Sequence, residues 1–218
     1  MTDTSHKAAS QTLREIASWQ PGRGSADSDL LPELSTMVAR SRDLSRNHGI
    51  ASGAMQTLTD NIVGTGFCLS AKPDYKLLGK TKDWEEEWQA KVEGLWRSWS
   101  ETFMCDAAQI LNFHGLTTQV FKSCLINGEA LALALWLPER PVATTIQLIE
   151  PDRLSNPNNS TDSKNLRGGV EIDHFGAPVA YYILKEHPGD YWMSSLEWER
   201  VPTFTPFGRR RGLHVHDV

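Results

Sequence analysis

Apolar positions follow two rhythms along this chain. Up to about residue 127 they recur every three or four residues, as on helices, and beyond it they alternate or run together, as on strands. In the first stretch Thr12 and Glu15 have capping-box spacing ahead of Leu13, Ile16 and Trp19, which predicts a short helix in a loosely ordered tail over 1–32. Pro21-Gly22-Arg23-Gly24-Ser25 breaks it. From Glu33 to Asn47 the residues Leu34, Met37, Val38 and Leu44 share a face, with Arg40, Arg42 and Arg46 elsewhere. Gly49 is expected just past that helix, in a left-handed conformation. A second helix is predicted from Ile50 to Val63, with Ala51, Ala54, Met55, Leu58 and Ile62 inward and Gly64-Thr65-Gly66 closing it. Phe67 to Ala71 alternates like a short strand. Asp83 can cap the next helix, with Glu86 at the reciprocal position. Trp84, Trp88, Val92, Leu95, Trp96 and Trp99 follow as a broad aromatic stripe. A further helix is predicted from Leu111 to Ile126, with Leu116, Val120, Phe121 and Cys124 inward, ending at Asn127-Gly128.

After Gly128 the pattern predicts strands at Glu129–Leu137, Thr145–Ile149, Val170–Ile172 and Val179–Leu184. Pro138-Glu139-Arg140-Pro141 is a turn, Asn156 to Asn165 a polar loop, and Asp173 to Pro178 a hairpin connection. Trp192–Trp198 and Leu213–Val215 add candidate strands. Helices first and a mostly antiparallel β region afterwards give an α+β fold rather than a βαβ wound sheet. The organisation expected is a tail over 1–32, a helical region over 33–127 and a β region over 128–218.

With 39% hydrophobic and 22% charged residues, the 218-residue chain is long and apolar enough to bury a core. Its formal charge of −5 argues against a general polyanion-coating protein but leaves room for a local basic patch. Cys68, Cys105 and Cys124 form no CxxC pair, so a reducing compartment is expected rather than a disulfide framework. The polar start predicts no signal peptide, and the apolar run Ala130 to Leu137 is too short to span a bilayer, so no membrane partner is expected. In that setting the overlapping sequons in Asn158-Asn159-Ser160-Thr161 mean a polar loop.

The candidate chemistry is thin. Gly79-Lys80-Thr81 resembles the end of a phosphate-binding loop, but the motif needs a glycine five residues earlier and position 74 is Asp74. A turn before the Asp83 helix is the simpler reading. His214 and His216 share a strand face and, with Asp217 nearby, could begin a zinc site. No third or fourth ligand is evident for a metal-dependent enzyme, so a solvent-facing strand end is the plainer account. Arg209-Arg210-Arg211 could grip a nucleic-acid backbone, pair with an acidic neighbouring subunit, or simply be solvated. Trp84, Trp88, Trp96 and Trp99 could pack in the core or form a subunit interface. No Gly-x-Ser-x-Gly elbow or paired-carboxylate arrangement stands out. No catalytic residue, metal or cofactor is expected.

Several stretches nevertheless resemble one known family. They are Ala39-Arg40-Ser41-Arg42-Asp43-Leu44-Ser45-Arg46-Asn47-His48-Gly49, the helix running into Asp60-Asn61-Ile62-Val63-Gly64-Thr65-Gly66, and Asn127-Gly128-Glu129. The most specific is Ile149-Glu150-Pro151-Asp152-Arg153-Leu154-Ser155-Asn156-Pro157-Asn158-Asn159, followed by Gly169 to Asp173, Gly176 to Tyr182 and Leu213 to His216. In this order, from about residue 30 onward, they are similar to the lambda-type portal proteins of tailed bacteriophages, in the wing part of such proteins.

That resemblance implies a structural, non-enzymatic role in a ring-shaped oligomer, commonly a dodecamer, at one capsid vertex. Double-stranded DNA passes through the central tunnel during packaging and ejection. Terminase, capsid and head–tail connector proteins are the implied partners, and virion and host bacterial cytoplasm the implied locations. In the family the stem, clip and crown come after the matched region. The chain is therefore expected to be a shortened form, marginally stable or self-associating. The alternative is a free-standing protein-interaction module derived from a portal gene.

Overall fold

The computed structural model describes residues 8, 10–191 and 196–216. Its fold is α+β, four helices followed by two small antiparallel sheets. The chain divides into two units, Met1–Leu34 and Ser35–Val218. In the first, the predicted helix near Leu13 is only a set of turns, with the Leu13 carbonyl accepting from the Ile16 and Ala17 amides. A single turn ahead of Pro21 cannot recover the cost of helix nucleation. Helix α1, Ala26–Asn47, begins earlier than Glu33 and carries Pro32 inside it. Ser25 starts it, its hydroxyl accepting from the Ser28 amide and its carbonyl from Asp29, while Asp27 and Asp29 sit at the positive end of the helix dipole.

Gly49 does not end α1 in a left-handed conformation. It is the first residue of α2, Gly49–Ile62, because His48 takes an extended backbone and its ring nitrogen accepts from the Ala51 amide, capping the new helix. Phe67–Ala71 is not a strand. The Ala71 amide donates to the Glu93 carboxylate (3.0 Å) rather than to a neighbouring strand. Helix α3, Lys82–Ser100, is capped by Thr81, whose hydroxyl accepts from the Trp84 amide, and not by Asp83. Asp83 and Glu85 still favour its first turn electrostatically.

A 3-10 turn at Phe103–Cys105 leads to Asp106, which is buried. Its carboxylate accepts from the amides of Ala108, Ile110 and Leu111, while Arg140 binds the carbonyls of Asp106 and Ala107. Helix α4, Phe113–Asn127, is capped by Asn112 and stops where predicted, at Gly128 (φ +81°), a conformation that glycine adopts without steric cost.

Strand β1, Glu129–Trp136, lies centrally between β2, Thr144–Ile149, and β7, Gly212–His216. The second sheet is ordered β3 (Leu166–Arg167), β4 (Val170–Ile172), β5 (Pro178–Leu184) and β6 (Trp198–Pro202). All strand pairs in both sheets are antiparallel. The short β3 lies just beyond the stretch read as a polar loop. Of the strand predicted over Trp192–Trp198, residues 192–195 lie outside the described residues, and the observed strand begins at Trp198.

The inner faces of both sheets meet in one core of Leu131, Leu133, Ile149, Tyr181, Ile183 and Val201. Gly212 is required at that contact: a β-carbon there would come within 2.4 Å of the Tyr181 ring.

Candidate functional site

Three of the stretches that carry the family resemblance meet in space, through Arg42, Asn127 and Asp152. Arg42 projects from α1 and donates through Nη1 (3.1 Å) and Nη2 (2.5 Å) to the two oxygens of Asp152, a bidentate pair. Its Nε donates to the side-chain oxygen of Asn127 at the end of α4 (2.8 Å). Asn127 in turn donates to the Ser123 hydroxyl, which donates to the Glu129 carbonyl at the start of β1. One guanidinium therefore joins α1, the end of α4, the first residue of β1 and the turn after β2.

Burial pushes the Asp152 carboxyl upward, but the hydrogen bonds and charge of Arg42, helped by His187 at 3.4 Å, outweigh it and hold the group below the usual carboxylate range. A cleft of about 350 Å³ opens beside this cluster, with Gln119, Glu150 and His187 on its wall.

The segment after Asp152 is committed to architecture. Arg153 donates to the carbonyls of Leu184 and Lys185 at the end of β5. The Ser155 hydroxyl accepts from the Trp198 indole (3.0 Å), and Asn156 receives the Gly169 amide while its own amide group binds Ser160 and Asp162. Gly169, at φ +82°, passes so close to Ser155 that a β-carbon would lie 2.5 Å from its backbone nitrogen. Every polar residue from Asp152 to Asn156 thus holds chain to chain.

The other candidate residues lie apart from this cluster. On α3, Trp84 and Trp88 stack on each other, and Trp96 and Trp99 pack with Phe113 of α4. The Trp99 indole also donates to the Thr144 carbonyl of β2 (2.8 Å). Arg209, Arg210 and Arg211 occupy the turn from β6 to β7, and among the described residues none of the three meets a carboxylate. Arg209 reaches Thr144 and lies over Trp136, and Arg210 lies over Phe204. His214 contacts Glu129 through Nε2 (2.7 Å), and its ring lies 4.5 Å from that of His216, tilted by 34°. Among the described residues no three His, Cys, Asp or Glu side chains converge as metal ligands, and Asp217 lies outside them. Gly79 (φ +65°) closes a turn in which Asp74 accepts from the amides of Lys76 and Leu77, so Gly79-Lys80-Thr81 is a turn and a helix cap.

Residues 12–218 match the model of the lambda family of phage portal proteins. The chain belongs to that family. It is 34% identical over 208 residues to portal protein B of Escherichia phage lambda, covering 93% of this chain and 38% of the relative. It is 35% identical over 208 residues to the portal protein of Escherichia phage N15, covering 93% and 39%. A probable portal protein of Halomonas phage phiHAP-1 is 25% identical over 217 residues, covering 95% and 41%. The chain thus spans about two fifths of the length of the curated relatives it matches. Portal-family proteins are structural, non-enzymatic virion proteins with a part in DNA packaging. The Arg42 clamp was not assigned from sequence. Arg42, Asn127 and Asp152 each stand in a portal-like stretch, but no periodicity says that three stretches so far apart share one guanidinium. Among the described residues no helix is long and apolar enough to cross a membrane.

Proposed function

We propose that this chain forms the wing part of a portal ring at one vertex of a phage capsid, a passive framework around the path by which double-stranded DNA is packaged and ejected. Helices from Glu33 to Asn127 and the β region after Gly128 are its two working parts. Its neighbours are further copies of itself, with terminase, capsid and head–tail connector proteins as its contacts in the assembling virion. The observation that carries the reading is the family match over residues 12–218, in which Arg42 joins the stretches holding Asn127 and Asp152.

We assign Trp84 and Trp88 of the tryptophan stripe, Trp88 being exposed, to the neighbour-facing side of α3, while Trp96 and Trp99 pack inward on Phe113. Arg209, Arg210 and Arg211, carrying charge that no carboxylate answers among the described residues, suit a phosphate backbone. Native mass spectrometry with negative-stain microscopy tests the reading. The expected result is a closed ring of defined copy number. A monomer or dimer at every attainable concentration overturns it and favours the free-standing interaction module. DNA binding should weaken with salt, and replacing the three arginines by alanine should flatten the slope of log K against log salt by about 0.9 per residue.

A further inference from the structure

Between β6 and β7 the chain closes a tight loop from Thr205 to Arg209. The Thr205 amide donates to the Arg209 carbonyl (2.8 Å), and the Arg209 amide donates back to the Thr205 hydroxyl (3.1 Å). The Gly208 amide donates to the Thr205 carbonyl, and Gly208 takes φ +76°, a conformation open to glycine. Pro206 stiffens the other side of the tip. Beneath the loop Phe204 bridges to Arg210, and the carbonyl of the buried Thr203 accepts from the amides of Arg211 and Gly212. The tip is thus held in one shape, and it presents Phe207 at 96% exposure.

Aromatic and cationic side chains interleave around that tip. The Arg209 guanidinium lies 5.8 Å from the Trp136 ring centroid and donates to the Thr144 hydroxyl (3.3 Å). The Arg210 guanidinium lies 5.7 Å from the Phe204 ring centroid and donates to the Gly212 carbonyl (3.0 Å). These contacts orient the two groups and leave their charge in place. Trp136 and Phe204 are exposed themselves. Among the described residues no carboxylate meets Arg209, Arg210 or Arg211. A partner for this surface must bring negative charge and a flat apolar face together. A nucleotide does so, with a phosphate for the guanidinium and a base for the ring.

We propose that this hairpin tip binds unpaired DNA, Phe207 stacking on a base while Arg209, Arg210 and Arg211 take the flanking phosphates. The inference rests on the phosphate reading of the arginines above and adds the base. In a duplex each base face is covered by its neighbours, and inserting a ring costs the stacking of a step. A single strand offers the face without that cost. The ring therefore selects single strands, whereas contacts to phosphate carry no such preference for a free base.

Fluorescence anisotropy with labelled oligo(dT) and with a duplex of equal length tests this on the whole chain. The natural chain should bind the single strand more tightly. F207A and F207L should each weaken oligo(dT) binding by about fivefold to a hundredfold, and F207W should retain it. Duplex binding, the salt slope and the melting temperature should stay unchanged in all three, since the ring stands in solvent. R209A/R210A/R211A should weaken both ligands and flatten the single-strand slope of log K against log salt by about 0.7 per arginine. Unchanged oligo(dT) binding in F207A overturns the stacking, and the arginine slope then judges the phosphate reading separately. Equal binding of both DNA forms by the natural chain also overturns it. No binding to either form overturns both readings. If self-association by light scattering then falls in F207A, the tip is a contact between copies, with the acidic Glu85-Glu86-Glu87 of α3 as its complement.

Discussion

In the two sheets, Leu131, Leu133, Ile149, Tyr181, Ile183 and Val201 bury one another almost completely. In the helices α1 and α3 no described residue is buried, while α2 and α4 bury Thr59 and Leu116 alone. The sheet region therefore draws its stability from apolar contact with itself. The helices reach it through a few directed contacts: Arg42 to Asp152 and Asn127, the Trp99 indole to Thr144, and the Asp106 carboxylate turning the chain into α4. They leave Met37, Leu44, Leu58, Ile62 and Leu95 in solvent. Such a division suits a part that must hold its own core rigid while offering helical surface to neighbours.

If the comparison is right, truncations should separate sharply. Leu131→Ala, at 2% exposure in the shared core, should cost about 2–5 kcal/mol in urea unfolding, the range for a buried leucine that leaves a cavity. A loss below about 1 kcal/mol would mean the sheets do not carry the stability. Asp106→Ala should come next, at about 3 kcal/mol, because three backbone amides lose a buried acceptor together. Circular-dichroism melting would show it as a lower midpoint with the helical signal otherwise retained.

The Arg42 clamp should show itself through pH. The Asp152 carboxyl is lowered in the folded chain, so the stability it contributes is complete above the unfolded value near 3.9 and is lost as pH falls through the folded value. Urea midpoints measured downward from pH 6 should therefore fall less steeply below about pH 4 for Asp152→Asn than for the natural chain. Parallel curves would show that the pair contributes nothing. The smallest effect belongs to the helices: Leu95→Ala, at 63% exposure, should change the unfolding free energy by no more than about 0.5 kcal/mol. A larger loss would place Leu95 in a core of its own and dissolve the contrast.

Much of the fold was legible along the chain because local physics decided it. The stop of α4 at Gly128, the strands at Glu129 and Thr144, and the Asp173–Ala177 connection, where Asp173 binds the amides of Phe175 and Ala177, all follow from short-range turn and capping chemistry. The misreadings arose where two local signals competed. His48 supplied a cap beside a glycine that looked like a terminator, and Thr81 took the cap from Asp83 because its hydroxyl meets the Trp84 amide. Phe67–Ala71 kept the pattern of a strand but found no strand to pair with, since Glu93 reaches the one amide that is bound.

By itself the sequence determined the class of fold, helices ahead of an antiparallel β region, and the family, because propensity, periodicity and motif spacing are properties of neighbours along the chain. Tertiary structure alone decided that Arg42, Asn127 and Asp152 form a single joint, that His214 faces Glu129, and that Trp96 and Trp99 lean on Phe113. Those contacts bridge residues far apart in the chain. Their geometry is set by how sheets and helices pack, a quantity that no local window contains.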